Sequence, residues 1–110
     1  MRMRLWATLA IQGVCLLAFA VPSLAQGVLA NPARGRDVAA HLCTSCHVID
    51  RDAATPMRAD IPSFPAIAKR SGATAEYLAG RIIVPHPVMP GVALTAAEIR
   101  DVVAYILTLK

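Results

Sequence analysis

Cys43-Thr44-Ser45-Cys46-His47 sets two thiols three residues apart, with an imidazole directly after the second. That order, C-x-x-C-H, is the attachment signature for c-type haem. Each residue type has a task. The thiols add across the two vinyl groups of a porphyrin, and the histidine offers a ring nitrogen to the iron. The two residues between the cysteines set the span between the thioethers. Other chemistry of paired cysteines finds no support nearby. A redox C-x-x-C of thioredoxin type belongs in a βαβ setting, and nothing in this chain alternates like a strand. Tetrahedral zinc asks for four ligands, usually from a second short Cys/His pair, which the chain lacks. A plain disulfide fits poorly across two residues of a helical turn.

An iron bound by His47 on one face has a ligand position on the other, and His41, Met57, His86 and Met89 carry suitable donor atoms. His41 lies two residues before Cys43, too close to reach the far face, and reads as a surface residue. Met57 falls in a polar stretch. His86 and Met89 share the segment Pro85-His86-Pro87-Val88-Met89-Pro90-Gly91, 39 and 42 residues beyond His47, far enough to cross the ring edge. Pro87 and Pro90 stiffen that loop and reduce the entropy lost when it orders. A thioether stabilises the reduced iron and raises its potential. Met89 is therefore the expected distal ligand, and His86 is its rival.

The elements that must position these groups are helical. Asn31-Pro32 is a helix start, with Asn as N-cap and Pro at the first helical position. Gly35, Val38, Ala39 and Leu42 then recur at i, i+3, i+4 and i+7, and this helix runs straight into Cys43. Residues 50–61 are polar and aperiodic, a loop. Ser63 caps a short helix through Arg70 that turns Phe64, Ile67 and Ala68 inward, and Gly72 suits the position after its end. Thr74 opens a third helix with Leu78 and Ile82 on one face, stopped by Pro85. The proline-rich segment 85–91 can be neither helix nor central strand. Thr95 and Glu98 form a capping box for a last helix with Ile99, Val102, Val103, Ile106 and Leu107 as its apolar face. An all-α fold with a helix at each end is predicted.

The first 25 of the 110 residues differ in character. Arg2 and Arg4 precede an apolar run from Leu5 to Val21, and Pro22-Ser23-Leu24-Ala25 supplies small residues for cleavage after Ala25. That is the layout of a secretory signal peptide; the run is short for a membrane span and Gln12-Gly13 interrupts it. The expected division is a signal peptide over 1–25 and one domain over 26–110, exported to the periplasm without a stable membrane anchor once cleaved. Cys15 goes with the signal, so the exported part keeps only Cys43 and Cys46. Of the formal charge of +4, Arg2 and Arg4 account for half. The remainder is too mild, and too free of basic clusters with interleaved aromatics, to bind nucleic acid. Residues 26–110 own only Phe64, Tyr77 and Tyr105 as aromatics. So small a domain needs a disulfide, metal or cofactor to complete its core.

Gly35 on the first helix, C-x-x-C-H, Pro62-Ser63-Phe64, Met89-Pro90 and a final helix bearing Tyr105 together resemble a small bacterial monohaem cytochrome c of class I, over residues 31–110. The resemblance implies a cytochrome c-like fold whose first and last helices cross and whose short helices and loops wrap one covalent haem c. It implies thioethers at Cys43 and Cys46, with His47 as the proximal and Met89 as the distal iron ligand. By the same resemblance, the Pro62 carbonyl accepts a hydrogen bond from His47 Nδ1, Gly35 permits a close helix crossing and Tyr105 packs over it. Residues 26–110 contain no Trp to hold a haem propionate, and the lysine-rich recognition surface of mitochondrial relatives is absent, since Lys69 and Lys110 are the only lysines.

Tyr77 and Arg81 read as helix-face residues, and Arg58, Lys69 and Arg70 as solvated charges. No Ser/His/Asp set or paired carboxylates have supporting context, so the chain is expected to carry electrons between redox partner proteins rather than to act as an enzyme. Two other roles compete: a haem subunit of a larger oxidoreductase, and a haem-based ligand sensor. A constrained Met89 loop argues against the sensor, which needs an open distal site.

Overall fold

The computed structural model describes residues 29–52, 60–84 and 86–110. The segment 1–25, Met57 and Pro85 lie outside them. Four helices follow in order: α1 (Pro32–Leu42), α2 (Phe64–Ala68), α3 (Ala75–Ile83) and α4 (Ala96–Leu107), with no strand among the described residues. Each begins at a polar cap whose side chain accepts a backbone N–H three residues on: Asn31, Ser63, Thr74 and Thr95. Thr95 and Glu98 complete the reciprocal box. α2 stops at Ala68, two residues before the expected Arg70. The N–H of Lys69 turns to the Ile67 and Pro65 carbonyls and that of Arg70 to Ile67, which tightens the last turn. Gly72 then adopts φ +83°, a conformation that costs a glycine nothing.

α1 packs mainly on α4, and α2 and α3 pack on α4 from other sides. The crossing of α1 and α4 is set by Gly35. A Cβ there would overlap the Asp101 carbonyl and the Val102 nitrogen, so only glycine lets the two backbones touch. Gly35→Ala gains about 1 kcal/mol of helix propensity but forces the helices apart, an overpacking cost of roughly 3 kcal/mol. The clash wins. A loss of about 2 kcal/mol is expected, seen as a thermal midpoint about 10 °C lower.

The core of Ala39, Phe64, Ala68, Leu78, Val102, Val103, Ile106 and Leu109 draws on every helix and the C-terminal tail. Within the predicted apolar faces, Ile99 and Leu107 are only half-buried and Leu42 is 44% exposed. Leu42, at the end of α1, lines the cavity described below.

Asp101 is buried at the same crossing. Its carboxylate accepts from the Arg34 guanidinium at 2.5 Å and from the Asn31 backbone N–H at 2.7 Å. One carboxylate thus ties the start of α1 to the middle of α4. Those two hydrogen bonds hold Asp101 below the usual carboxylate range, Arg34 contributing most. The unfolded chain therefore binds the proton more readily, so stability rises with pH. The contribution is complete above about pH 4, the unfolded value, and is lost as pH falls through the lower folded value. Asp101→Asn should flatten the acid limb of a plot of thermal midpoint against pH. Asp50, held low by Arg36 and Tyr105, leaves a residual slope.

Candidate functional site

α1 does not end cleanly. Its cap residue Cys43 donates to the Ala39 carbonyl at 2.9 Å, and the chain keeps winding: Cys46 N–H and His47 N–H both donate to the Cys43 carbonyl, at 3.1 and 2.8 Å. Cys43, Cys46 and His47 thus stand at i, i+3 and i+4 of one continued turn, spacings that share a helix face. The Thr44 hydroxyl donates to the Ala40 carbonyl at 3.0 Å and binds the turn to α1. Both cysteines are free and half-buried, and burial pushes the Cys43 thiol up. Among the described residues there is no group of three or more metal-binding side chains of the kind zinc would need.

The His47 ring is fixed from behind. Its Nδ1 lies 2.8 Å from the Pro62 carbonyl oxygen. That oxygen has no proton, so Nδ1 must be the donor, and the neutral ring keeps its lone pair on Nε2. Phe64 N–H donates to the Val48 carbonyl at 2.8 Å, holding the Pro62–Phe64 segment beside the histidine. The Phe64 ring lies 5.5 Å from the imidazole and 6.4 Å from Tyr105, tilted at both contacts. Tyr105 donates toward the Ile49 carbonyl at 3.0 Å and the Asp50 carboxylate at 2.5 Å, and Arg36 grips Asp50 with two bonds of 3.0 and 2.8 Å. Burial and then Asp50 push the Tyr105 phenol up to about 12, so it remains a donor at neutral pH. Arg51 donates to the Thr108 and Lys110 carbonyls at the end of α4. The strand of chain after His47 is therefore stitched to α1 and α4 together.

His47 faces a cavity of about 230 Å³. Ile67, Leu78, Ile82, Leu94, Val102 and Ile106 make it apolar, while Arg70, Tyr77 and Arg81 gather as its polar lining. A second cavity of about 140 Å³ adjoins it, where Cys43, Cys46 and His47 meet residues 86–90. Cys43, His47, Pro62, His86 and Met89 line both. His41 is exposed on α1 and lines neither. The donor set suits a flat, apolar macrocycle with two double bonds to meet the thiols, carboxylates to meet the arginines, and a metal between imidazole and thioether.

The segment holding Met89 is a turn: Met89 N–H donates to the His86 carbonyl at 3.0 Å, with Pro87 and Val88 at the corners. Val88 has φ +77°, the third-position conformation of a type II turn, which normally falls to glycine. A β-branched residue there costs on the order of 1 kcal/mol or more. His86 Nδ1 is buried without a hydrogen-bond partner.

Arg70, Tyr77 and Arg81 are the lining residues that sequence reasoning missed. Tyr77 and Arg81, four apart, form a stripe beside Leu78 and Ile82 on α3, so the helical period could have paired them, although Tyr77 remains 50% exposed. Nothing local marks Arg70, which reaches the cavity from the end of α2.

Residues 32–110 match the family model described as Cytochrome c. The chain is 36% identical over 100 residues to "Cytochrome c-552" of Bradyrhizobium diazoefficiens, a match that covers 91% of this chain and 95% of that protein. No solved structure matches it.

Proposed function

The chain belongs to the cytochrome c family and carries one covalently bound haem c, and from that premise we propose that it shuttles single electrons between redox partners in the periplasm. Haem supplies the iron that gains and loses the electron. The residues supply attachment, orientation and insulation. Cys43 and Cys46 would form the thioethers, and His47 Nε2 would bind the iron. Pro62 fixes the ring that presents that nitrogen, and such a contact raises the ligand's basicity. Met89 gives the distal sulfur, and the apolar walls around Leu78, Val102 and Ile106 keep water out. Arg70, Tyr77 and Arg81 meet the carboxylates of the macrocycle, the role left without a Trp.

The observation that carries this reading is His47, locked at 2.8 Å to Pro62 with its free nitrogen toward the cavity that Met89 also lines. With His47 and Met89 both committed to the group, the cavity would keep no position for a substrate, and electrons would pass at the edge near the two cysteines. Leu42 and Val88, 44% and 72% exposed, border that edge. A partner with an apolar contact surface fits them. The leader-like segment supports export, and among the described residues no helix is long and apolar enough to cross a membrane.

Intact mass after denaturation tests the assignment. The expected value is the chain from Gln26 to Lys110 plus one haem, and the native protein should titrate reversibly with one electron. A mass equal to the bare polypeptide, from cells competent in haem attachment, would sink the reading. A ferrous protein that binds carbon monoxide readily would replace electron transfer with ligand sensing.

A further inference from the structure

We propose that Tyr105 is a positioning residue whose hydroxyl sets the His47–Pro62 hydrogen bond from outside the cavity; this rests on His47 being the iron ligand. The need for it lies in the chain itself. Residues 47–50 follow the continued turn of α1 with no helix or strand of their own, so other elements must fix them. Two arms meet there. One is Val48–Asp50, directly after the histidine. The other is Pro62–Phe64, which carries the carbonyl that holds Nδ1 at 2.8 Å. A backbone bond joins the arms, from Phe64 N–H to the Val48 carbonyl at 2.8 Å.

Tyr105, on α4, takes hold of both arms. Its hydroxyl shares one proton between the Ile49 carbonyl at 3.0 Å and the Asp50 carboxylate at 2.5 Å. Its ring packs on Phe64, which packs on the imidazole. Arg36 reaches Asp50 from α1 with bonds of 3.0 and 2.8 Å, so the acceptor is itself held. Ile49, Phe64 and Tyr105 are all buried, and a hydrogen bond to a charged acceptor is a strong one. Tyr105, Asp50 and Arg36 line neither of the two cavities around His47. They act on a bound group through the histidine. Tyr105→Phe keeps the ring contacts but leaves the buried Ile49 carbonyl without its donor, and residues 48–50 gain freedom. The bond from Nδ1 to Pro62 then loosens. That bond raises the basicity of the ligating nitrogen, and a more basic nitrogen favours ferric iron. Its loss shifts the balance toward the reduced form.

Two readouts on the holoprotein test this: exchange of the His47 Nδ1 proton, followed by isotope-edited NMR in the ferrous state, and the midpoint potential. Tyr105→Phe should speed the exchange several-fold. At a fixed ambient potential it should also raise the reduced-to-oxidised ratio several-fold, where tenfold corresponds to about 59 mV. Arg36→Gln, at the exposed end of the network, should move both readouts in the same direction and by less. Asp101→Asn is the control and should move neither, because it loosens the contact of α4 with Asn31 and Arg34 and touches neither arm. A Tyr105→Phe protein with wild-type exchange and potential overturns the proposal. So does an equal shift of both readouts in Asp101→Asn, which would make the effect one of general loosening. If the ferric wild type lacks the hyperfine-shifted protons of a ligating imidazole at His47, the fault lies in the ligand assignment, a failure the other two outcomes do not produce.

Discussion

Cells competent in haem attachment should yield the Cys43→Ala/Cys46→Ala protein as a poorly folded, protease-sensitive chain. The reason is the position of the cavity. Leu78, Phe64, Val102 and Ile106 are at once its lining and the centre of the core. Without haem, that lining faces an open cavity of about 230 Å³, and side chains of the core lose the packing partner that fills it. A domain of this length commands only about 4 to 12 kcal/mol in total. Losing those contacts removes a large share of so small a total, before the thioethers' restraint on the unfolded chain is counted. Circular dichroism and limited proteolysis decide it. Full native helicity in the haem-free variant would show that the helices hold themselves together. His47→Ala, which breaks the same signature, should likewise yield a poorly folded chain and lose the native spectrum.

Met89→Ala should have the largest effect on the redox chemistry. The oxidised wild type is expected to show the weak far-red band of sulfur-to-iron charge transfer, and the variant should lack it. Its midpoint potential should fall by about 0.2 V, a part of the roughly 0.8 V range that axial ligands command. The direction follows from the thioether's preference for reduced iron. Voltammetry and the optical spectrum measure the two effects on one sample. A variant that keeps both band and potential would remove Met89 from the iron. Met57→Ala should alter neither.

The physical reach of each interaction explains how much was legible. Every helix start was readable because a cap acts over three residues: Asn31 on Arg34, Ser63 on Ala66, Thr74 on Tyr77, Thr95 on Glu98. The covalent chemistry was readable because C-x-x-C-H lies within five residues, and its one turn needs no distant contact to align the three groups. Resemblance supplied more, including the contact of Pro62 with His47 and the glycine crossing.

Other features depend on elements that meet only in space. Asp101 reads as the polar side of an amphipathic helix; it is buried because Asn31 and Arg34, on the first helix, arrive to satisfy it. Arg70 reads as a solvated charge and Arg81 as a helix-face residue, and the packing of α2 and α3 on α4 brings both to one cavity. Leu42 matches the apolar stripe of α1 yet stays exposed, because it lines the cavity rather than the helix-packing core. The positive φ of Val88 and the unpaired nitrogen of His86 have no sequence signal, for valine disfavours that conformation and histidine normally finds a partner. Residue type and spacing alone determined which groups can bind haem and iron. Only the tertiary structure decided which charges line the cavity and which carboxylate is buried at the helix crossing, because those properties belong to surfaces built from residues far apart in the chain.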